Sequence, residues 1–272
     1  MIAKTEKTEF ETTFNDAAEE YEASRPAYCP QLYRDLLTYQ PIDSQSCVLE
    51  IGMGTGKATG PVLETQCRLI ALEPGDALAR AAQRKFRQHE NLSIEVKAFQ
   101  DYVCEAGTFD LIYAATAFHW IPEAYGYRRV FELLKEGGAF ARFAYRAGED
   151  QTRPEMSAEI RQAYERCPTM SQRKRPDATA EARRLSQLAG QYGFADLANK
   201  TYHWTKNFTA DGYMQLLKTY PDHMALPQEE RKMLFSDIHH AIEKHGGMIT
   251  VHYMADMQLA RKPKRGEMKH AD

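Results

Sequence analysis

The chain reads as an α/β protein built on a doubly wound, mostly parallel sheet. Two observations carry that reading. Between residues 46 and 146, short apolar runs alternate with amphipathic segments of helical period. The first of those runs, Val48-Leu49-Glu50-Ile51, ends on a carboxylate and breaks into alternating glycines at Gly52, Gly54 and Gly56. Alternation at this spacing requires right-handed crossovers between parallel strands. Ligands of such sheets bind outside the carboxyl ends of the strands, where Gly52, Glu73, Phe99 and Thr116 all fall.

Taken in order, residues 1–45 are helical over 14–21 and again over 31–39, where Pro30 starts a segment with Leu32, Leu36 and Leu37 on one face. Strands are expected at 46–51, 68–73, 92–97, 109–115 and 138–145. Helices fill the gaps at 55–66, 75–89 and 123–135. Thr55 is a suitable N-cap for the first of these, and Gly137-Gly138 stop the last. After Arg146 the rhythm changes. A polar turn over 148–153 leads to helices at 154–166 and 178–191, separated by Cys167-Pro168 and the cationic Arg173-Lys174-Arg175-Pro176. Tyr202 to Phe208 reads as a strand. Helices follow at 210–218 and 228–244, the second opened by Pro227 and striped with Leu234, Ile238 and Ile242, and a strand over 249–260 closes the pattern. The organisation expected is an N-terminal helical lid segment (1–45), a ligand-binding core (46–146), a helical cap or substrate region carrying the closing strands (147–260) and a basic tail (261–272).

Composition narrows the function class. With 272 residues and a formal charge of −3, the chain can bury a sizeable core and exerts no global pull on nucleic acid or membrane. Five cysteines are scattered without a CxxC pair, and Cys47 and Cys67 sit in apolar contexts that suit buried thiols. Met1 to Lys7 holds no apolar targeting core, and no 18-residue apolar run occurs, so a cytoplasmic protein is expected. His239-His240 with Glu243 has metal-like spacing, but on a helix it reads as an exposed face, and no metal is expected. The tail Arg261-Lys262-Pro263-Lys264-Arg265 reads as solvated charge.

The motif Glu50-Ile51-Gly52-Met53-Gly54-Thr55-Gly56 resembles the E/D-x-G-x-G-x-G signature of class I S-adenosylmethionine (SAM)-dependent methyltransferases. Four further segments keep that family's order: Arg68 to Glu73, Ala98 to Asp101, Phe109 to Trp120, and Leu133 to Phe140. The branch it is most similar to is the small-molecule one, of methyltransferase type 11 and trans-aconitate methyltransferase-like proteins. The resemblance implies a Rossmann-like seven-stranded sheet with an antiparallel last strand, SAM as cofactor and S-adenosylhomocysteine as product.

It also implies a set of site residues. Glu50 would lie toward the methionine ammonium, with Gly52, Gly54, Thr55 and Gly56 letting backbone reach the same portion. Glu73, followed by Pro74, would take both ribose hydroxyls, although an NAD site wants an acid in a similar place. Phe99 with Gln100 or Asp101 would meet adenine, and Ala115 and Thr116 would line the far side. His119 would pack on the cofactor or act as a base, and Trp120 would wall the site. Tyr21, Arg25 and Tyr28 resemble a lid segment, in which Arg25 could pair with the cofactor carboxylate. His119, Tyr145 and Arg146 are the candidate catalytic residues, with Arg142, Tyr220 and His223 as further cavity candidates.

Two absences narrow the acceptor. No Asn/Asp-Pro-Pro-Tyr/Phe follows the fourth strand, where Ala115-Thr116-Ala117-Phe118 stands, and no Pro-Cys nucleophile is found. Both argue against nucleic-acid substrates, and a capped cavity lined by aromatics favours a small molecule. The resemblance to the trans-aconitate-like branch implies an oxygen acceptor such as a carboxylate, and a monomer or homodimer is expected. The rivals are an NAD(P)-dependent oxidoreductase, and a SAM-binding regulatory or RNA-associated module without turnover.

Overall fold

The structure, a computed structural model, describes residues 24–172 and 178–266. The expected helix over 14–21 and the Arg173–Pro176 stretch lie outside them. Seven strands form one sheet: β1 (Cys47–Ile51), β2 (Arg68–Leu72), β3 (Leu92–Glu95), β4 (Phe109–Ala115), β5 (Leu134–Gly148), β6 (Ala195–Thr209) and β7 (Met248–Arg261). Their order is β3-β2-β1-β4-β5-β7-β6. The pairings β3–β2, β2–β1, β1–β4 and β4–β5 are parallel. At the far side the direction reverses. Gly137 at the start of β5 donates to Lys262 just past the end of β7, and Lys262 donates back to Gly138. The helices are α1 (Pro30–Tyr39), α2 (Thr59–Leu63), α3 (Asp76–Lys85), α4 (Glu123–Leu133), α5 (Pro154–Arg166), α6 (Pro168–Ser171), α7 (Ala178–Leu188), α8 (Ala210–Lys218), α9 (Pro221–Met224) and α10 (Gln228–Lys244).

The described residues fall into two compact units. One comprises 27–145, 178–202 and 255–266; the other comprises 24–26, 146–172 and 203–254. In the first, the central strands are buried on both faces, as the continuous apolar runs of β1, β2 and β4 require. Leu49, Ile51, Leu72, Ile112, Phe109 and Phe140 form its core with Val130 and Leu133 of α4. α7 belongs to this unit rather than to the helices around it in sequence. Arg184 pairs with Glu123 of α4 at 2.7 Å, and Tyr192 stacks on Tyr127 with ring centroids 5.0 Å apart. In the second unit α5 and α8 both pack on α10. The buried Asp150 carboxylate accepts from Thr152 N and Thr250 N at 2.8 and 2.9 Å, tying the turn before α5 to β7. His239 bonds Asp211 on a surface face of α10. No helix of the described residues is long and apolar enough to cross a membrane.

Expected and observed elements differ in two instructive places. The helix expected over 55–66 begins only at Thr59, with Ala58 as N-cap, so Thr55 caps nothing. Gly52, Gly54 and Gly56 all have positive φ, and a right-handed helix cannot pass through them. β6 starts seven residues before the expected Tyr202. Its exposed positions include Asp196, Asn199, Lys200 and Thr201, whose polarity hides the extended backbone from a hydrophobic pattern. The helices at 154–166, 210–218 and 228–244 stand where their signals place them. Thr209 supplies a side-chain cap to α8 by accepting from Gly212 N at 3.1 Å.

Candidate functional site

The site is assembled where β1, β2 and β4 end. Chain reversal after β1 is anchored on its neighbour: Gly52 N and Met53 N both donate to Leu72 O, at 2.8 and 3.0 Å. A Cβ on Gly52, at φ +69°, would stand 2.5 Å from the Ala117 Cβ, so only glycine admits the β4 loop here. Gly54, at φ +59°, has no atom within 4 Å of where a Cβ would lie, which leaves backbone open to an approaching ligand. Glu73 clamps this turn. One carboxylate oxygen accepts from Gly54 N and the other from Gly75 N, each at 2.8 Å. Pro74 between them is exposed.

Beneath the turn the polar chemistry is incomplete. The Thr55 hydroxyl and one Glu50 oxygen, both buried, have no hydrogen-bond partner among the described residues. The second Glu50 oxygen accepts from the Thr59 hydroxyl at 2.7 Å. Burial pushes the Glu50 carboxyl up to about 7 and the Glu73 charge adds to this, while Thr59, Tyr113 and Lys85 oppose it. An orphaned hydroxyl and a buried acid under an open glycine turn suit a ligand that carries both polar and cationic groups.

The end of β4 is strained. Thr116 stands at φ +54°, an unusual conformation for a β-branched residue. Two bonds hold it there: its N–H donates to Phe143 O at 2.7 Å, and its hydroxyl meets the Tyr28 hydroxyl at 2.5 Å. Tyr28 is itself wedged edge-on between Phe143 and Tyr145, at 4.9 and 5.5 Å. Its spacing near Arg25 suggests a lid, and no sequence signal pairs it with Thr116. Removing its hydroxyl by Tyr28→Phe should cost about 1 kcal/mol of support for Thr116, or roughly fivefold in cofactor affinity. Calorimetric titration of the variant checks this; an unchanged Kd would mean that Phe143 alone holds the turn.

Around the remaining candidates, Phe99 is buried in a 3-10 turn with Gln100 and Asp101, and Asp101 is exposed. Tyr125 of α4, which carries no motif signal, sets its ring edge against Phe99 at 6.3 Å and donates to Gln100 O at 3.3 Å. Ala115 is half-buried at the end of β4. His119 and Trp120 form the next turn with rings 4.9 Å apart, and Trp120 remains 46% exposed, so in this structure it covers little. His119 is exposed, yet local desolvation of its ring and then the Arg142 guanidinium hold it below its ordinary value, on the neutral side at pH 7. Arg142 donates to the Tyr127 hydroxyl at 3.1 Å and lies over the Phe118 ring.

Glu50, Gly52, Gly54, Thr55, Gly56, Glu73, Phe99, Thr116, His119 and Tyr145 thus share one unit. Arg25 and Arg146 belong to the other. There Arg25 is buried, donates to Thr219 O at 2.9 Å and stacks on Tyr220 at 4.1 Å, while Arg146 contacts the Met254 sulfur. His223 of that unit is buried between Tyr164 and Asp222, at 2.8 Å from each. Tyr21 lies outside the described residues.

Residues 48–138 match the family model of the methyltransferase domain, and they span the glycine turn, Glu73, Phe99 and the β4 loop. By that match the chain carries a methyltransferase domain, on the fold of the class I, SAM-dependent enzymes. Among methyltransferases similar in sequence, an uncharacterised one from Schizosaccharomyces pombe is 22% identical over 85% of this chain and 87% of its own. A trans-aconitate 2-methyltransferase from Azoarcus is 28% identical over 40% of this chain and 42% of its own. A solved structure described as a type II methyltransferase, from Anaeromyxobacter dehalogenans, shares the fold at a TM-score of 0.68. It is 21% identical and covers 88% of this chain and 99% of its own. The cofactor of this methyltransferase is SAM, and the glycine turn, Glu73 and the orphaned Thr55 hydroxyl are the features of the chain that fit it.

Proposed function

We propose that this methyltransferase acts on a small molecule and methylates an oxygen nucleophile, a carboxylate in the first instance. SAM supplies an electrophilic methyl on a sulfonium, and the chain has to align an acceptor with it and exclude water. Strong anionic contacts at the sulfur would favour the charged ground state and slow transfer, so carboxylates belong at the cofactor's edges. Glu73 at the ribose, with Glu50 toward the methionine ammonium, meets that requirement. Backbone at Gly52 and Gly54 meets the methionine portion, and Phe99 with Gln100 or Asp101 meets adenine. Ala115 and Thr116 line the opposite side.

The observation that carries the acceptor reading is the Arg142 guanidinium, held by the Tyr127 hydroxyl at 3.1 Å and lying over the Phe118 ring that precedes His119. A fixed cation beside a neutral imidazole favours an anionic acceptor, and a carboxylate is a nucleophile at pH 7 without a base. The relatives that act on trans-aconitate, by name, point the same way.

Methyl-labelled SAM incubated with a panel of carboxylic acids tests it: label should appear in base-labile ester. With such an acceptor His119→Ala should retain activity within about tenfold, because no proton is removed. A hydroxyl acceptor would instead make His119 a base, and its loss would cost roughly a hundredfold or more. Label found only in base-stable ether or amine would overturn the carboxylate reading.

A further inference from the structure

Glu50 is more deeply enclosed than a residue that simply touches a ligand. It is fully buried on β1, and in the sheet register it stands opposite Tyr113 of β4 and Ala71 of β2. Thr59, the first residue of α2, donates its hydroxyl to one carboxyl oxygen. The other oxygen, the fully buried Tyr113 hydroxyl and the buried Tyr33 hydroxyl of α1 are all without hydrogen-bond partners among the described residues. The Tyr113 hydroxyl is near enough to favour the carboxylate but outside hydrogen-bond geometry. Burial, with the Glu50 charge adding to it, raises Tyr33 and Tyr113, so both phenols stay protonated. The charges that act on the cluster are Glu73 from the end of β2, which opposes ionisation, and Lys85 of α3, which favours it and itself donates to Gly56 O at 3.3 Å. One acid, two phenols and one hydroxyl therefore sit beneath the glycine turn, with several lone pairs and protons left over. A positive charge arriving above the turn would settle them.

We propose that Glu50 is a proton-linked counter-charge for the cofactor's cationic groups, with Tyr113 and Thr59 as its positioning residues. Without cofactor the carboxyl oxygen not bonded to Thr59 carries a proton. When a cation binds, that O–H bond breaks, the proton leaves to solvent, and the carboxylate remains, oriented by Thr59 and by a Tyr113 hydroxyl that swings to donate. Nothing is oxidised or reduced. The proposal rests on SAM lying over the glycine turn. It adds a dependence that direct contact does not supply: cofactor binding is coupled to pH around neutrality. A carboxyl raised to about 7 is largely protonated at pH 6 and ionised at pH 8.5. Cation binding to the ionised form alone therefore releases nearly one proton at pH 6 and almost none at pH 8.5. Affinity should fall up to about tenfold for each pH unit below 7.

The test is calorimetric titration of the full chain with SAM at pH 6, 7 and 8.5, each in two buffers of different ionisation enthalpy, for wild type, Glu50→Gln and Tyr113→Phe. Subtracting the Glu50→Gln signal from wild type cancels the titration of the ligand's own ammonium. The expected difference is nearly one proton released at pH 6, vanishing at pH 8.5. Tyr113→Phe should retain the coupling and move the midpoint of affinity to higher pH, because the hydroxyl that favours the carboxylate is gone. A merely structural tyrosine would lower affinity equally at every pH. If Glu50→Gln does not fold, the upward shift in Tyr113→Phe against wild type decides the matter. Tight binding at pH 8.5 with the same affinity and no proton release at pH 6 overturns the proposal and leaves the cofactor in place. Absence of SAM binding at every pH overturns both.

Discussion

Glu73→Ala is expected to weaken SAM binding about a hundredfold or more. The side chain holds two backbone N–H groups, at Gly54 and Gly75, each at 2.8 Å. Hydrogen bonds to a charged acceptor contribute about 1.5–3 kcal/mol each. Losing both frees the glycine turn from β2 before any ligand contact is counted, and losing the proposed ribose contacts adds to it. Glu73→Gln should fall between, since the amide keeps one accepting oxygen and presents an NH2 to a donor. Titration with SAM and S-adenosylhomocysteine measures the effect, and both ligands should weaken alike because both carry the ribose. A Kd within threefold of wild type would remove Glu73 from the cofactor site.

Gly52→Ala should be the most damaging small substitution. Its backbone is left-handed, which costs an L-residue about 1–2 kcal/mol, and the new methyl would lie 2.5 Å from the Ala117 Cβ. Neither atom is the end of a flexible side chain, so the turn or the β4 loop has to move. Both are proposed cofactor-binding elements. A fall in melting temperature together with loss of SAM binding is therefore expected. Adding Ala117→Gly removes the clash but not the backbone cost, and should restore part of each. Gly54→Ala pays the same backbone cost at φ +59° but meets no neighbour, so it should lower the melting temperature less, while still obstructing the ligand. If Gly52→Ala bound cofactor normally, the close approach of the two loops would not matter to function.

Much of this was legible because β1, β2 and β4 are buried on both faces. Burial of that kind demands unbroken apolar runs, which are visible in a single sequence, and the proposed site residues follow directly after them. Val48 to Gly56, Arg68 to Glu73 and Phe109 to Trp120 are all of this type. The polar partners were not visible. Tyr28 and Thr116 are 88 residues apart and meet only because β4 and the segment before α1 converge. Tyr113 reads as one more apolar residue of β4, and only the register with β1 sets it against Glu50. The strained φ of Thr116 has no sequence signature either, since nothing about threonine announces a left-handed backbone. The start of α2 differs for a local reason: Thr55 is a good capping residue, but Gly56 after it stands at φ +80°, where a right-handed helix cannot begin.

The strand order has a consequence for how the chain is made. β7 lies between β5 and β6, yet it is synthesised after both. A nascent chain that has reached the end of α10 therefore carries two long strands with bare inner edges and no strand to join them. Unpaired edges of that length recruit other chains. The polar side chains along β6, including Asn199, Lys200 and Thr201, make it a poor partner for strangers during that interval. The polarity that conceals β6 from a pattern reading is also of the kind that disfavours edge-to-edge pairing before β7 arrives.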